Sequence, residues 1–324
     1  MEFIQPVEQL VTNDEVVEEI ITGLGKKQKS LPPKLFYNEK GSQLFDQITG
    51  LDAYYLTRTE DKIMRKRIDS IVEETGPDAL LIEYGSGNSK KTELLIENLV
   101  DLAAYVPIDI SGIYLAKIAK SLREKYAGIC VVPLIADYMT NFELPEIEAA
   151  HSHKVAYFPG STIGNIYPEE AVKFLKRVRN VVGDRGSLLI GVDLQKDVEV
   201  LNLAYNDPEG VTERFNLNML DHINQKYGGG FLLENFQHHA FYNEEETRIE
   251  MHLVSIRDQF ISVAGKEFYF ESQETILTEV SYKYTLDGFA ELANEAGFSV
   301  KHAWVDEQNY FSVQYLNTWN EKFD

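Results

Sequence analysis

The chain holds one cysteine, Cys130, among 324 residues. A lone thiol cannot close an internal disulfide, and it excludes zinc and iron–sulfur sites built from several thiolates. Long apolar runs are missing too: nothing approaches the roughly 18 residues of a membrane-crossing helix. The opening stretch MEFIQPVEQL is too acidic, and too short in apolar run, for a secretory leader. Positive charge is scarce, with 31 Lys and Arg against 52 Asp and Glu and a formal net charge of -21. An acidic excess spread along the chain, not gathered in a tail, repels phosphate backbones and anionic bilayers. Neither nucleic acid nor membrane is expected as a partner, and a cytoplasmic location is. Internal repeats and low-complexity segments are also absent.

What is present is enough for a real core, since 44% of the residues are hydrophobic. The length suits one large domain or two intimate ones. Up to about residue 61, helix-like segments surround Leu31-Pro-Pro-Lys-Leu-Phe-Tyr37, where the doubled proline stops a helix and predicts a turn or extended segment. From about 79 to 193, short apolar runs alternate with helix-period segments, the pattern of βαβ units and a parallel sheet. ALLIEYG, AAYVPID, ICVVPLIAD, KVAYFPG and SLLIGVD are the expected strands. Lys91 to Val100, with Leu94, Leu95, Leu99 and Val100 on one face, and Pro168 to Val182 are expected helices between them. From about 231 to 283 the residues alternate aromatic and polar, as in antiparallel strands with one solvated face. A helix over Leu286 to Ala296, a terminating Gly297 and the strand FSVKHAWVD then return to the central sheet.

The strongest local signal is Glu83-Tyr-Gly85-Ser-Gly87-Asn-Ser-Lys-Lys91-Thr, between a strand and a helix. Glycines there let a ligand approach the main chain. A dinucleotide fingerprint needs a third glycine where Lys90 stands. What remains is E-x-G-x-G at the first strand end, Asp109 at the second, and Asp137 with Tyr138 at the third. Such a set suits a nucleoside with its ribose hydroxyls on a carboxylate, and S-adenosylmethionine is its natural occupant. A structural turn or another nucleotide also fits the loop alone. The second signal, Phe158-Pro-Gly160-Ser-Thr-Ile-Gly164-Asn165, reads equally as a tight turn or as an amide presented to a polar substrate.

LPPKLFY, GSQLFDQIT, YYLTRTE, GSGNSKKT, GSTIGN, AYNDPEGVTERFNLNML, TRIEM and LTEVS occur in one order from Leu31 to the C-terminal strand. In these blocks the chain resembles the histidine-specific Nα-methyltransferases of ergothioneine biosynthesis. The resemblance implies a Rossmann-like class I S-adenosylmethionine-dependent methyltransferase domain over 62–195 and 285–324. It also implies a second, α+β substrate-binding domain over 1–61 and 196–284. Gly85, Lys91, Asp109, Asp137, Tyr138 and Ser161 would hold the co-substrate, with Tyr37 at the seam with substrate and the candidate catalytic relay. Tyr54, Asn165, Tyr205, Met251, Glu279 and Ser281 would form a pocket for L-histidine. In it Asn165 and Tyr205 would take the α-amino and α-carboxylate groups, and Tyr54, Glu279 and Ser281 would read the imidazole. Three methyl transfers to the α-nitrogen would give hercynine. The departures are Lys90 for a frequent acid, Tyr282 for a frequent cysteine and Leu56 for a frequent proline, and none touches that pocket.

Without the resemblance, Tyr37, Tyr54 and Tyr205 read as packing aromatics, Glu279 as a solvated strand residue, Met251 as a core filler and Cys130 as a buried small hydrophobe. His151 with His153, and His238 with His239, lack the companion acids of a metal site, so no metal is expected. Two other classes stay open on sequence: an N-methyltransferase acting on tryptophan or another amino acid, and a protein that binds S-adenosylmethionine without catalysis.

Overall fold

The computed structural model describes residues 7–9, 13–87 and 90–318. The first six residues, on which the reading against a leader rests, lie outside the described residues, as do Asn88 and Ser89 of the glycine loop. The strands are β1 (Val7–Gln9), β2 (Lys29–Ser30), β3 (Ala79–Tyr84), β4 (Ala104–Asp109), β5 (Cys130–Val131), β6 (Leu134–Ala136), β7 (His153–Phe158) and β8 (Ser187–Asp193). They continue with β9 (Phe236–Asn243), β10 (Arg248–Ser255), β11 (Gln259–Val263), β12 (Lys266–Phe270), β13 (Thr275–Tyr282), β14 (Ser299–Val305) and β15 (Phe311–Asn317). The chain forms two compact units, one from 1–10, 58–195 and 284–324, the other from 11–57 and 196–283.

The first unit is built on a sheet of order β1-β6-β4-β3-β7-β8-β15-β14, with β5 beside β4. Neighbours from β1 through β8 run parallel. All of β3 and all of β8 are buried, which is why ALLIEY and SLLIGVD read as near-continuous apolar runs. Pro133 interrupts the expected third strand, and ICVVPLIAD becomes β5 and β6, because proline supplies no ladder N–H. The helix expected from Lys91 spans Lys90–Asn98, and its buried face carries Leu95 and Ile96; beyond its end Leu99 is buried and Val100 exposed. The helix expected at Pro168 spans Pro168–Val182. β14 does not join the parallel sheet directly. β15, for which the sequence reading had no strand, lies antiparallel between β8 and β14. Leaving β3, the chain lays β4 and β6 to one side and β7 and β8 to the other, so strand order reverses between β3 and β7. Open α/β sheets bind ligands outside the carboxyl ends of their strands at such a reversal.

The second unit holds a sheet of order β2-β13-β10-β9, with β9, β10 and β13 antiparallel and β2 parallel to β13, and a β11–β12 hairpin. Helices Val198–Tyr205 and Val211–Lys226 pack on β9 and β10, and helix Glu39–Ile48 packs on Val211–Lys226. The doubled proline does forbid an α-helix, and the residues after it form a short 3-10 turn, Pro33–Phe36. Between β10 and β13 the register slips: Met251 pairs with Glu279 but His252 with Leu277. Thr278 is therefore an extra residue, and its buried hydroxyl donates to the Met251 carbonyl at 3.0 Å. A bulge of this kind re-aims the side chains beside it. Glu279, Ser281 and Lys283 follow at alternate positions, so they share a face.

Candidate functional site

In the first unit the expected co-substrate residues gather at the carboxyl ends of consecutive strands. Gly85 and Gly87 follow β3, Asp109 ends β4, Asp137 and Tyr138 follow β6, and Gly160 and Ser161 follow β7. Gly85 has a φ of 71°, and a Cβ there would meet the Tyr138 ring at 3.3 Å, so both conformation and space demand glycine. The Asp109 carboxylate accepts from the Gly87 N–H at 3.1 Å and the Ser111 N–H at 2.9 Å. Burial pushes its pKa up, and those N–H groups pull it back. One oxygen of Asp137 accepts from the Met139 N–H at 2.9 Å, which fixes the turn that carries Tyr138. Tyr138 lies edge-on to Tyr84 and Phe158, and burial raises its phenol pKa.

Ser161 has a left-handed backbone, φ 58°, and its buried Oγ accepts from the Asp193 N–H at 2.8 Å. Its hydroxyl thus ties the loop after β7 to the end of β8, a bracing role that sequence reasoning did not anticipate. Lys91 forms an ion pair with Glu60, and the other oxygen of Glu60 accepts from the Gly160 N–H at 2.8 Å. Glu60 is almost fully buried. Sequence reasoning missed it, because a glutamate in a charged helical stretch (Thr57-Arg-Thr-Glu60-Asp61-Lys62) carries no sign of burial. Glu83, inside β3, is buried too, accepts from the Tyr105 hydroxyl, and has its pKa raised by desolvation to about 8. Asn165 ends a 3-10 turn, Thr162–Asn165, and is half-buried.

In the second unit Tyr37, Phe45, Tyr54 and Tyr205 form a chain of edge-to-face rings with centroids 6.0, 6.4 and 6.3 Å apart. Tyr205 ends helix Val198–Tyr205, whose Asn202 and Asn206 side chains bond the edge of β9 at Tyr242 and Ala240. His238 holds the Tyr205 carbonyl through Nε2 at 2.8 Å, while its Nδ1 faces the Asn216 amide at 2.9 Å. With burial lowering its pKa, His238 is a neutral imidazole that donates to Tyr205 and accepts from Asn216.

The Tyr205 hydroxyl donates to Ser281 Oγ at 2.9 Å. Lys283, 1% exposed, donates to the same Oγ at 2.8 Å and reaches the Tyr205 hydroxyl at 3.2 Å. Met251 is buried opposite Glu279. Glu279 retains some surface, yet desolvation raises its carboxyl pKa to about 7, against the attraction of Lys283. Lys283 is the clearest omission from the sequence reading. In an alternating antiparallel strand a lysine at this phase reads as solvated, and only the packed structure shows it enclosed.

The structure therefore brings Gly85, Lys91, Asp109, Asp137, Tyr138, Ser161 and Asn165 to one sheet edge of the first unit. It brings Tyr37, Tyr54, Tyr205, Met251, Glu279 and Ser281 into the second. Cys130 is half-buried in the short β5 rather than enclosed. His153 Nε2 lies 2.6 Å from the Thr75 carbonyl, a structural bond. Among the described residues no three His, Cys, Asp or Glu side chains are grouped to hold a metal ion, and no helix is long and apolar enough to cross a membrane.

The sequence matches the profile of the histidine-specific, S-adenosylmethionine-dependent methyltransferases over residues 16–318. It is 38% identical to histidine N-alpha-methyltransferase of Mycolicibacterium smegmatis, covering 91% of this chain and 92% of that one. The corresponding enzyme of Mycobacterium tuberculosis is also 38% identical, with the same two coverages. Ergothioneine biosynthesis protein 1 of Neurospora crassa is 32% identical over 87% of this chain and 32% of its own length.

Proposed function

The chain belongs to the S-adenosylmethionine-dependent, histidine-specific methyltransferases, and from that premise we propose that it trimethylates the α-amino group of L-histidine to hercynine. As a member of that family it is a methyltransferase. In this reading the first unit is the co-substrate domain and the second the amino-acid domain, with the first ten residues counted in the former. The protein works in the cytoplasm on a small molecule, without a metal.

The first unit's residues fit the co-substrate. Asp109 is an acceptor carboxylate pinned by two backbone N–H groups, suited to a ribose diol. Gly85 presents bare backbone, and Lys91, Asp137, Tyr138 and Ser161 complete the set. Bound S-adenosylmethionine supplies a methyl group on a cationic sulfur, already activated toward displacement. The α-nitrogen lone pair forms the new N–C bond as the C–S bond breaks and its electrons return to sulfur. A proton must leave the nitrogen before each of the three attacks. Tyr37 is the proposed relay to water. The remaining work is positioning of the amino acid, to which Tyr205 contributes through its bond to Ser281.

The observation that carries the histidine assignment is the pairing of Met251 with Glu279 beside the β10–β13 bulge, with Ser281 two residues on. A carboxylate and a hydroxyl satisfy the N–H and bare nitrogen of a neutral imidazole. The aromatic chain through Tyr37, Tyr54 and Tyr205 suits a nitrogen that ends as a quaternary cation. The test is to incubate the purified protein with S-adenosylmethionine and a panel of amino acids that includes histidine and tryptophan, and to look for trimethylated product by mass spectrometry. Histidine alone is expected to react. Reaction with tryptophan instead, or with nothing, overturns the proposal.

A further inference from the structure

Resting on that functional reading, we propose that Lys283 is a positioning residue that locks Ser281 as an outward hydrogen-bond donor, so that the site accepts an imidazole only with its bare nitrogen toward Ser281. Ser281 Oγ has two lone pairs and one hydrogen. The Tyr205 hydroxyl at 2.9 Å takes one pair and Lys283 Nζ at 2.8 Å takes the other. Lys283 carries no acceptor, so it donates to both oxygens, and its 3.2 Å contact with the Tyr205 hydroxyl holds that group as the donor toward Ser281. What Ser281 has left is its own O–H. Two residues earlier on the same face stands Glu279, whose ionised carboxyl can only accept. One strand thus offers a fixed donor and a fixed acceptor, the complement of one orientation of a neutral imidazole. All three members of the triangle are buried, which raises the cost of any arrangement that leaves a polar atom unpaired.

Lys283 bonds Ser281 and Tyr205, and its charge also holds down the Glu279 pKa, so it acts on the substrate through these neighbours. The ratio is read at about pH 9, where Glu279 is ionised with or without the lysine. In Lys283→Met, a change of similar shape, Tyr205 and Ser281 still satisfy each other. The serine is then free to turn a lone pair outward. The substrates that read this are β-(pyrrol-2-yl)alanine and β-(pyrrol-3-yl)alanine. Each keeps one ring N–H and replaces the other nitrogen with C–H.

The parent is expected to favour histidine over the better pyrrole analogue by at least about tenfold in kcat/KM, the scale of an unmet donor in a buried site. Lys283→Met should bring that ratio to within about twofold of unity, with S-adenosylmethionine affinity unchanged in calorimetry. Ser281→Ala should lose the same discrimination, and adding Lys283→Met to it should change the ratio no further. A folded Lys283→Met that keeps the parental ratio overturns the proposal. Should Lys283→Met not fold, Ser281→Ala decides: loss of discrimination supports the lock, and a retained ratio overturns it. A parent inactive on histidine overturns the functional reading. A parent active on histidine whose variants keep the ratio overturns the lock alone.

Discussion

At Glu279 desolvation and one nearby cation pull in opposite directions, and the balance leaves the carboxyl with a pKa of about 7. The proposed role needs the ionised form, since a protonated carboxyl competes to donate where the substrate donates. Below pH 7 the competent fraction therefore falls, and kcat/KM for histidine should show an inflection near that pH in initial-rate profiles. Glu279→Gln should lack the inflection and lie on the order of a hundredfold lower at pH 8, the scale of a hydrogen bond to a charged partner. A variant with the parent's profile would remove the carboxylate from the site. Glu83 makes a separate prediction about stability. Its folded pKa of about 8 lies above the ordinary 4.5, so the folded chain holds a proton that the unfolded chain has released. The stabilising contribution is complete below pH 4.5 and is lost as pH rises through about 8. Glu83→Gln lacks that slope, so its denaturation midpoint should gain on the parent's between pH 5 and pH 8.5. Parallel curves would show that Glu83 ionises normally.

Four chain segments meet where β8 passes the loop after β7. A Cβ on Gly191 would lie 2.2 Å from Glu60 Oε1, 2.9 Å from Phe311 Cζ and 3.1 Å from the Gly160 N, so this strand is narrow where the buried carboxylate must pass. Gly191→Ala is expected to displace Glu60, release Lys91 and Gly160, and destabilise the protein by about 1–3 kcal/mol, typical of overpacking. S-adenosylmethionine affinity should fall with it in calorimetry, and a variant with parental melting and affinity would refute the brace. The parallel strands β3, β4, β7 and β8 were legible because burial on both faces writes them as apolar runs. β15 was not, since Phe311-Ser-Val-Gln-Tyr-Leu-Asn mixes polar residues into a strand that is nonetheless buried, with Gln314 bonded to Ser312 and Ser312 to the β8 backbone. Glycines and acids at strand ends could be read from the sequence, and Glu279 and Ser281 became candidates only once the blocks resembled a family. Glu60, Lys283 and the bracing bond of Ser161 could not, because each depends on what a distant segment places against it.

At the scale of the whole molecule the chain passes between its two units four times, after residues 10, 57, 195 and 283. Neither unit is a continuous stretch of sequence, so alternating texture along the chain was the only sign of the division. The same scale governs the charge. Few of the acids have a role here: Glu60 pairs with Lys91, and the proposed reading gives Asp109 and Asp137 to the co-substrate and Glu279 to the substrate. Many others lie on the surface, where pairs such as Lys66–Glu307 and Lys173–Glu170 are largely exposed. Exposed pairs contribute about 0–1 kcal/mol each and weaken with salt. A net charge of -21 in one chain repels itself over distances that salt also screens, with a Debye length near 30 Å at 0.01 M and about 10 Å at 0.1 M. The two effects oppose each other, and with 21 uncompensated charges the self-repulsion should dominate. The melting temperature should therefore rise by a few degrees as sodium chloride goes from 10 to 300 mM, with most of the gain below about 100 mM. A melting temperature that falls over that range would mean that attractive pairs outweigh the repulsion and that the acidic excess is internally organised.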